Sequence, residues 1–253
     1  MTQRTGTRPV WVDLGSQDAA GSRAFYSALF GWVAEPNPDP QYGGYAVATL
    51  GGNDVAGIGP AQSPEQPTAW SLYLGTSDAD GLAASIAAHA GSVIAPPFLV
   101  GEMGRMAVFQ DPVGAFISAW ETGVMGGFAA TGPGSFIWAE LNARGLAAAL
   151  AFYQGVFGWG AKTSPMPDGG SYTELLEGEA SILGAIEMAA AAPAQVPSYW
   201  LVYFASGDIA GDTARAQRLG ATVLVPPTDM AGGRFAILSD PQGAAFGLLE
   251  MDG

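Results

Sequence analysis

The chain has 253 residues, 49% apolar and 13% charged, the profile of a folded globular protein and neither a disordered nor a fibrous one. Its 9 basic and 23 acidic residues give a net charge of −14, which repels a phosphate backbone and excludes nucleic acid as an expected partner. The absence of cysteine excludes disulfides, thiolate metal sites and thiol nucleophiles, and with no secretory signal at Met1–Pro9 and no apolar run of roughly 20 residues, a cytoplasmic protein with no membrane partner is expected.

The first predicted element is a strand over Val10–Leu14. Asp18 then stands at a helix N-cap position, Phe25, Ala28 and Leu29 recur at helical spacing, and Gly31 is placed to end that helix. Tyr45–Leu50 and Asp54–Ile58 read as strands parted by Gly51-Gly52. A second round follows, with a strand over Trp70–Leu74, a helix over Asp78–His89, and strands at Val93–Ala95, Met106–Phe109 and Phe116–Trp120. The turn Asp111-Pro112-Val113-Gly114 joins the last two. Thr122–Ser135 holds five glycines and a proline with little periodicity, the composition of a linker. Beyond it the order returns: Ile137–Leu141 as strand, a helix ending near Phe157, a strand over Tyr199–Phe204, a helix over Asp208–Leu219 and a closing strand over Ala244–Glu250.

That return is a sequence repeat. Ala24-Phe25-Tyr26 and Phe30-Gly31-Trp32 recur as Ala151-Phe152-Tyr153 and Phe157-Gly158-Trp159, an offset of 127 residues (151 − 24), and Trp11 recurs as Trp138. Gly104-Arg105 and Asp111-Pro112 recur as Gly233-Arg234 and Asp240-Pro241, at 129. Two copies of one domain are therefore expected, residues 1–122 and 136–253 with a linker at 123–135. The fold class is α+β, with four units of one helix and about three strands whose sheets bury one face under the helices.

Asp18, Phe25-Tyr26, Phe30-Gly31-Trp32, Asp111-Pro112 and Gly114, with their copies Phe152-Tyr153, Phe157-Gly158-Trp159, Asp240-Pro241 and Gly243, resemble the vicinal oxygen chelate superfamily of glyoxalases, extradiol dioxygenases and bleomycin- and fosfomycin-resistance proteins. The tandem arrangement is similar to two-domain glyoxalase-like proteins of actinobacteria, some described as hydroxylases. The resemblance implies tandem glyoxalase-like domains, four βαβββ modules with curled mixed sheets around clefts, and metal ligands on the strands. The first ligand position falls on Trp11 and Trp138, the third near Leu72 and Val202, and the last on Ser118 and Gly247. An indole N–H is only a donor, so neither a metal nor another cofactor is expected. Glu187 lies near the remaining position in the second copy.

Alternation along strands then predicts what lines each cleft. The first would hold Trp11, Asp13, Trp70, Ser118 and Trp120, the second Trp138, Glu140, Trp200, Val202, Phe204 and Leu249. Asp13 and Glu140 are the candidate catalytic acids or bases, since a carboxylate desolvated among tryptophans is expected to have a raised pKa. Trp11, Trp70, Ser118, Trp120, Trp138, Trp200, Phe204 and Leu249 are the candidate ligand-binding residues, suited to a planar or aromatic small molecule. Structural readings stand beside these: Arg105 and Arg234 could tie up the two acids, the tryptophans could be core fillers, Trp32 and Trp159 are expected in the core, and Tyr73 and Tyr203 fall on the opposite parity as packing residues. His89 is expected on the surface.

Three functions fit. One is a metal-independent enzyme of secondary or detoxification metabolism, an isomerase, lyase or hydroxylase acting on an aromatic or carbonyl compound. Another is a ligand-sequestering resistance-type protein. The third is a divalent-metal lyase, which needs a set such as Glu140, Glu187 and Glu250 to converge. Either a monomer or a homodimer is compatible with the sequence.

Overall fold

A computed structural model describes residues 7–166 and 169–252. The first copy runs β1 Pro9–Ser16, α1 Ala19–Phe30, β2 Ala46–Leu50, β3 Asn53–Pro60, β4 Ala69–Thr76, α2 Ala79–Ala88, β5 Ser92–Val100, β6 Gly104–Gln110 and β7 Phe116–Thr122. The second runs β8 Phe136–Ala143, α3 Leu146–Phe157, β9 Gly160–Pro165, β10 Ser171–Glu177, β11 Ala180–Glu187, β12 Tyr199–Ala205, α4 Ile209–Arg218, β13 Thr222–Met230, β14 Gly233–Ser239 and β15 Ala245–Met251. Strand order is β2-β3-β1-β4-β7-β6-β5 in one mixed sheet and β13-β14-β15-β12-β8-β11-β10-β9 in the other. This is the α+β arrangement of four strand-helix-strand modules, with β9 added in the second copy.

The helices form where caps and spacing agree. Asp18, Asp78 and Asp208 each accept a hydrogen bond from the N–H three residues on, satisfying a donor that the first turn leaves unpaired. In α1, Ser22, Phe25, Tyr26 and Leu29 are buried on one face, and α3 buries Ala149, Phe152, Tyr153 and Val156 at the same spacing. Gly31 and Gly158 close these helices in the left-handed region, at φ 75° and 72°. Helix α3 has no side-chain cap of its own. Glu187 supplies one from β11, accepting the Gly145 and Leu146 N–H groups at 2.9 and 2.6 Å.

Two compact units result, and each takes residues from both copies. One contains residues 72–127 and 138–200, the other residues 11–71, 128–137 and 201 onward. The core of the second is a cluster of rings: Tyr26 lies 5.6 Å from Phe246, and Phe30, Trp32 and Trp70 lie 5.3, 5.3 and 5.1 Å from Phe204. Phe204 and Phe246 belong to the second sequence copy, the other four to the first. The glycine-rich segment joins this packing, with Trp32 Nε1 donating to the Gly134 carbonyl at 2.9 Å and Phe128 stacked on Phe136 at 4.7 Å. In the other unit Tyr153 stacks on Trp159 at 5.7 Å and meets the Trp200 edge at 5.5 Å.

Candidate functional site

Four tryptophan–tyrosine–carboxylate sets organise the polar chemistry, and they fall into two kinds. In the buried kind, Trp70 Nε1 donates to Tyr26 Oη at 2.9 Å, and Tyr26 donates to Asp240 Oδ2 at 3.0 Å. The other unit repeats it, with Trp200 Nε1 to Tyr153 Oη at 3.0 Å and Tyr153 to Asp111 Oδ2 at 3.0 Å. Both tyrosines are 0% exposed. Each aspartate belongs to the Asp-Pro turn of one copy and each tyrosine to the helix of the other, so these sets join the copies within a unit. The second carboxylate oxygen accepts N–H groups of its own turn, from Val113 and Ala115 or from Gln242 and Ala244.

Burial pushes Asp111 and Asp240 above the ordinary carboxylate range, against the pull of these hydrogen bonds. A carboxyl group with a raised folded pKa binds more protons folded than unfolded, so its contribution to stability is full below the unfolded pKa of about 3.9 and is lost as pH rises through the folded value. The loss of stability between about pH 4 and pH 7 is therefore expected to be smaller in Asp111→Asn/Asp240→Asn than in the parent, as urea midpoints would show.

The second kind of set is half-buried. Trp11 Nε1 donates to Tyr45 Oη at 2.9 Å, and Tyr45 donates to Asp13 Oδ2 at 3.4 Å. In the other unit Trp138 Nε1 donates to Tyr172 Oη at 2.8 Å, and Tyr172 is hydrogen-bonded to Glu140. Burial, with the adjacent carboxylate, pushes both phenols upward, so they remain O–H donors across the usable pH range. Glycines on the neighbouring strand make room for the rings. A Cβ at Gly57 would lie 1.7 Å from Tyr45 Oη, and one at Gly184 would lie 1.9 Å from Tyr172 Oη and 2.9 Å from Trp138 Nε1. Asp13 and Glu140 are the Cα partners of these two glycines in the parallel pairs β1–β3 and β8–β11. Gly184→Ala is accordingly expected to displace Tyr172, costing about 1–3 kcal/mol in urea unfolding and changing tryptophan emission.

The structure gathers some of the expected cleft residues and separates others. Ser16 Oγ meets Ser22 Oγ of α1 at 2.7 Å, so Leu14 and Val12 share the helix-covered face of β1 and Trp11 and Asp13 take the other, as alternation predicts. On β4, Trp70 reaches Tyr26 of α1, which puts Leu72 and Leu74 on that same covered face. The register pairs Tyr73 with Ser118 and Gly75 with Trp120. The residue near the third ligand position that shares the face of Ser118 is thus Tyr73 and not Leu72, and Trp70 lies on the opposite face from Ser118 and Trp120. Likewise Tyr203 pairs with Gly247, which puts Leu249 on the face of Tyr203, whereas Phe204 pairs with Leu248. Trp200 and Val202 share the face of Phe204.

Trp70, Trp200 and Phe204 are therefore packed in the aromatic cores, at 7, 5 and 0% exposure, as Trp32 and Trp159 are. Trp120 donates to the Met125 carbonyl at 3.1 Å. The arginines find other partners: Arg105 pairs with Asp80 and Glu121, and Arg234 with Asp229. His89 is exposed. Tyr45 and Tyr172 escaped the sequence reading, although they recur at the same offset of 127 (172 − 45).

The family description Glyoxalase/Bleomycin resistance protein/Dioxygenase superfamily matches residues 8–118 and again 135–248. CFP32 of Mycobacterium tuberculosis (strain CDC 1551 / Oshkosh), whose name marks it as a candidate glyoxylase, is 38% identical over 253 residues, covering 98% of this chain and 95% of its own. The anthracycline biosynthesis protein DnrV of Streptomyces peucetius is 36% identical, covering 99% and 96%. Among solved structures, the Mn(II)-bound glyoxalase of Novosphingobium aromaticivorans superposes with a TM-score of 0.68 at 18% identity, over 98% of this chain and 83% of that one. The 2,3-dioxygenase LapB of Pseudomonas sp. KL28 gives 0.70 at 16% identity, over 98% and 94%.

A metal such as the one in that glyoxalase does not suit the donors found here. The ligand positions carry indole, phenol, hydroxyl and glycine, and among the described residues no three of His, Cys, Asp and Glu gather into a possible ion site. Glu187, a candidate ligand by sequence, has both carboxylate oxygens committed to the start of α3.

Proposed function

The chain belongs to the Glyoxalase/Bleomycin resistance protein/Dioxygenase superfamily, and from that premise we propose that it is a small-molecule enzyme that uses Asp13 or Glu140 as general acid or base on a planar aromatic or carbonyl metabolite. The observation that carries this reading is the half-buried tryptophan–tyrosine–carboxylate set, present once per copy. In it the tyrosine O–H fixes one carboxylate oxygen, and the indole N–H fixes the tyrosine in turn. A carboxylate so oriented can take a proton from an acidified C–H or O–H of the substrate and return it elsewhere, the step shared by isomerisations and eliminations.

Trp138, only partly buried, supplies flat apolar surface beside Glu140, suited to offset stacking on a ring system, whereas Trp11 is 2% exposed and packs against Phe128. DnrV, named for anthracycline biosynthesis, points the substrate class toward fused hydroxylated aromatics. No step is routed through a metal, because the donor set does not suit one.

The test is a screen of planar hydroxylated aromatics for quenching of tryptophan emission and for chemical change, repeated with Asp13→Asn and Glu140→Gln. Loss of turnover with retained binding is the expected result. Binding of a planar compound with no chemical change in the parent protein would instead make the chain a ligand-sequestering member of the superfamily.

A further inference from the structure

Resting on the reading that a half-set carboxylate does the chemistry, we infer that the two copies are unequal: the cavity beside Asn142 holds the ring system of the substrate, and the Glu140 set is the one it serves. The cavity has a volume of about 340 Å³ and is lined by Asn142, Met166, Ser171, Ile186, Glu187 and Met188 among others. That is the small end of the about 300–1,000 Å³ of small-molecule sites. Its walls combine two thioethers and an isoleucine with an amide and a hydroxyl. Thioether sulfur is polarisable and favours aromatic faces. A flat ring carrying hydroxyl groups fits this chemistry, since an amide oxygen can accept from a ring O–H.

Asn142 joins the cavity to the acid. Its Nδ2 donates to Glu140 Oε1 at 3.3 Å while the same residue forms part of the cavity wall. Glu187 belongs to the frame, since its carboxylate caps α3.

The first copy carries other residues at the matching positions. At the offset of 127 that relates Tyr45 to Tyr172 and Gly57 to Gly184, Asn142 corresponds to Gly15, Ile186 to Gly59 and Met188 to Ala61. Two residues after Asp13 stands Gly15, where Asn142 stands two residues after Glu140. The space over that glycine is taken by Gln66, whose Nε2 would lie 3.0 Å from a Cβ on Gly15. The side chains of Asn142, Ile186 and Met188 are thus particular to the second copy, which distinguishes them from features that duplication alone would leave in both.

The direct test is methyl NMR on the full chain labelled at its eight methionines, with each signal assigned by Met→Leu substitution, titrated with 1,8-dihydroxyanthraquinone and with unsubstituted anthraquinone. Saturable ring-current shifts confined chiefly to Met166 and Met188 are expected. Asn142→Ala should weaken the hydroxylated compound about two- to tenfold, the worth of one neutral hydrogen bond, and leave the unsubstituted one unchanged. Met188→Trp, which fills the space, should weaken both at least about tenfold.

Shifts that fall on other methionines, or none that saturate by about 1 mM, would overturn the inference. The underlying reading fails separately: turnover lost in Glu140→Gln while Met166 and Met188 stay unmoved would leave the carboxylate chemistry standing and remove the cavity from it.

Discussion

Tyr26→Phe is expected to destabilise the fold by about 2–4 kcal/mol, a large share of the stability of a protein this size. The substitution keeps the ring and its packing and removes one oxygen. That oxygen accepts from Trp70 and donates to Asp240, in a place with no access to water. Its loss leaves a buried indole N–H without an acceptor and a buried carboxylate without one of its donors, each costing about 1–3 kcal/mol. Tyr153→Phe should behave alike through Trp200 and Asp111. A cycle combining Tyr26→Phe with Asp240→Asn should give a coupling energy above about 0.5 kcal/mol, since the two groups share one bond. Urea unfolding measures all of these, and a cost below about 1 kcal/mol for either tyrosine would mean the buried sets do not join the copies as described.

Replacement of Glu140 by Gln should lower turnover by about 10²- to 10⁴-fold, the range for removal of a general acid or base. Glutamine keeps the shape and an acceptor oxygen for Tyr172, so substrate affinity should hold. Tyr172→Phe tests orientation separately from proton transfer. It leaves the carboxylate in place and removes the O–H that fixes it, together with the acceptor for Trp138 Nε1. A smaller fall in turnover is expected there, with a shift in the pH–rate profile, because the phenol no longer bonds to the ionised acid. A residue that merely supported the fold would change stability and leave that profile where it was.

How far these sets could be read from the sequence depended on the kind of strand that carries them. The repeat, the Asp-capped helices and the glycine stops are local signals, and the helices formed within a few residues of their expected bounds, whereas β5 runs on to Val100 from the expected Val93–Ala95 and β9, β10, β11, β13 and β14 had no expected bounds. On β1 the alternation was clear because polar Asp13 sits between Val12 and Leu14, and Trp11 and Asp13 do share a face. On β4 and β12 it was not. β12 is apolar on both faces over Tyr199–Phe204, and on β4 Ser71 is the one small polar residue in Trp70–Leu74, so the two sides are weakly marked and a one-residue slip exchanges the faces.

That slip placed Trp70, Trp200 and Phe204 beside Ser118, Trp120 and Leu249, when the residues facing those positions are Tyr73 and Tyr203. Tyr45 and Tyr172 were missed for a different reason: each stands just before or at the start of a strand, with no periodicity of its own, and only its recurrence marked it. The pairing of each Asp-Pro turn with the helix tyrosine of the other copy leaves no trace in the sequence, because both copies carry the same two residues.

The most direct measurement is single-turnover conversion of a bound planar hydroxylated aromatic by Asp13→Asn/Glu140→Gln, with binding followed in the same sample by tryptophan quenching. The account predicts that the compound binds the doubly substituted protein within about threefold of the parent affinity and that conversion falls to background. Conversion at the parent rate in the absence of both carboxylates would contradict it.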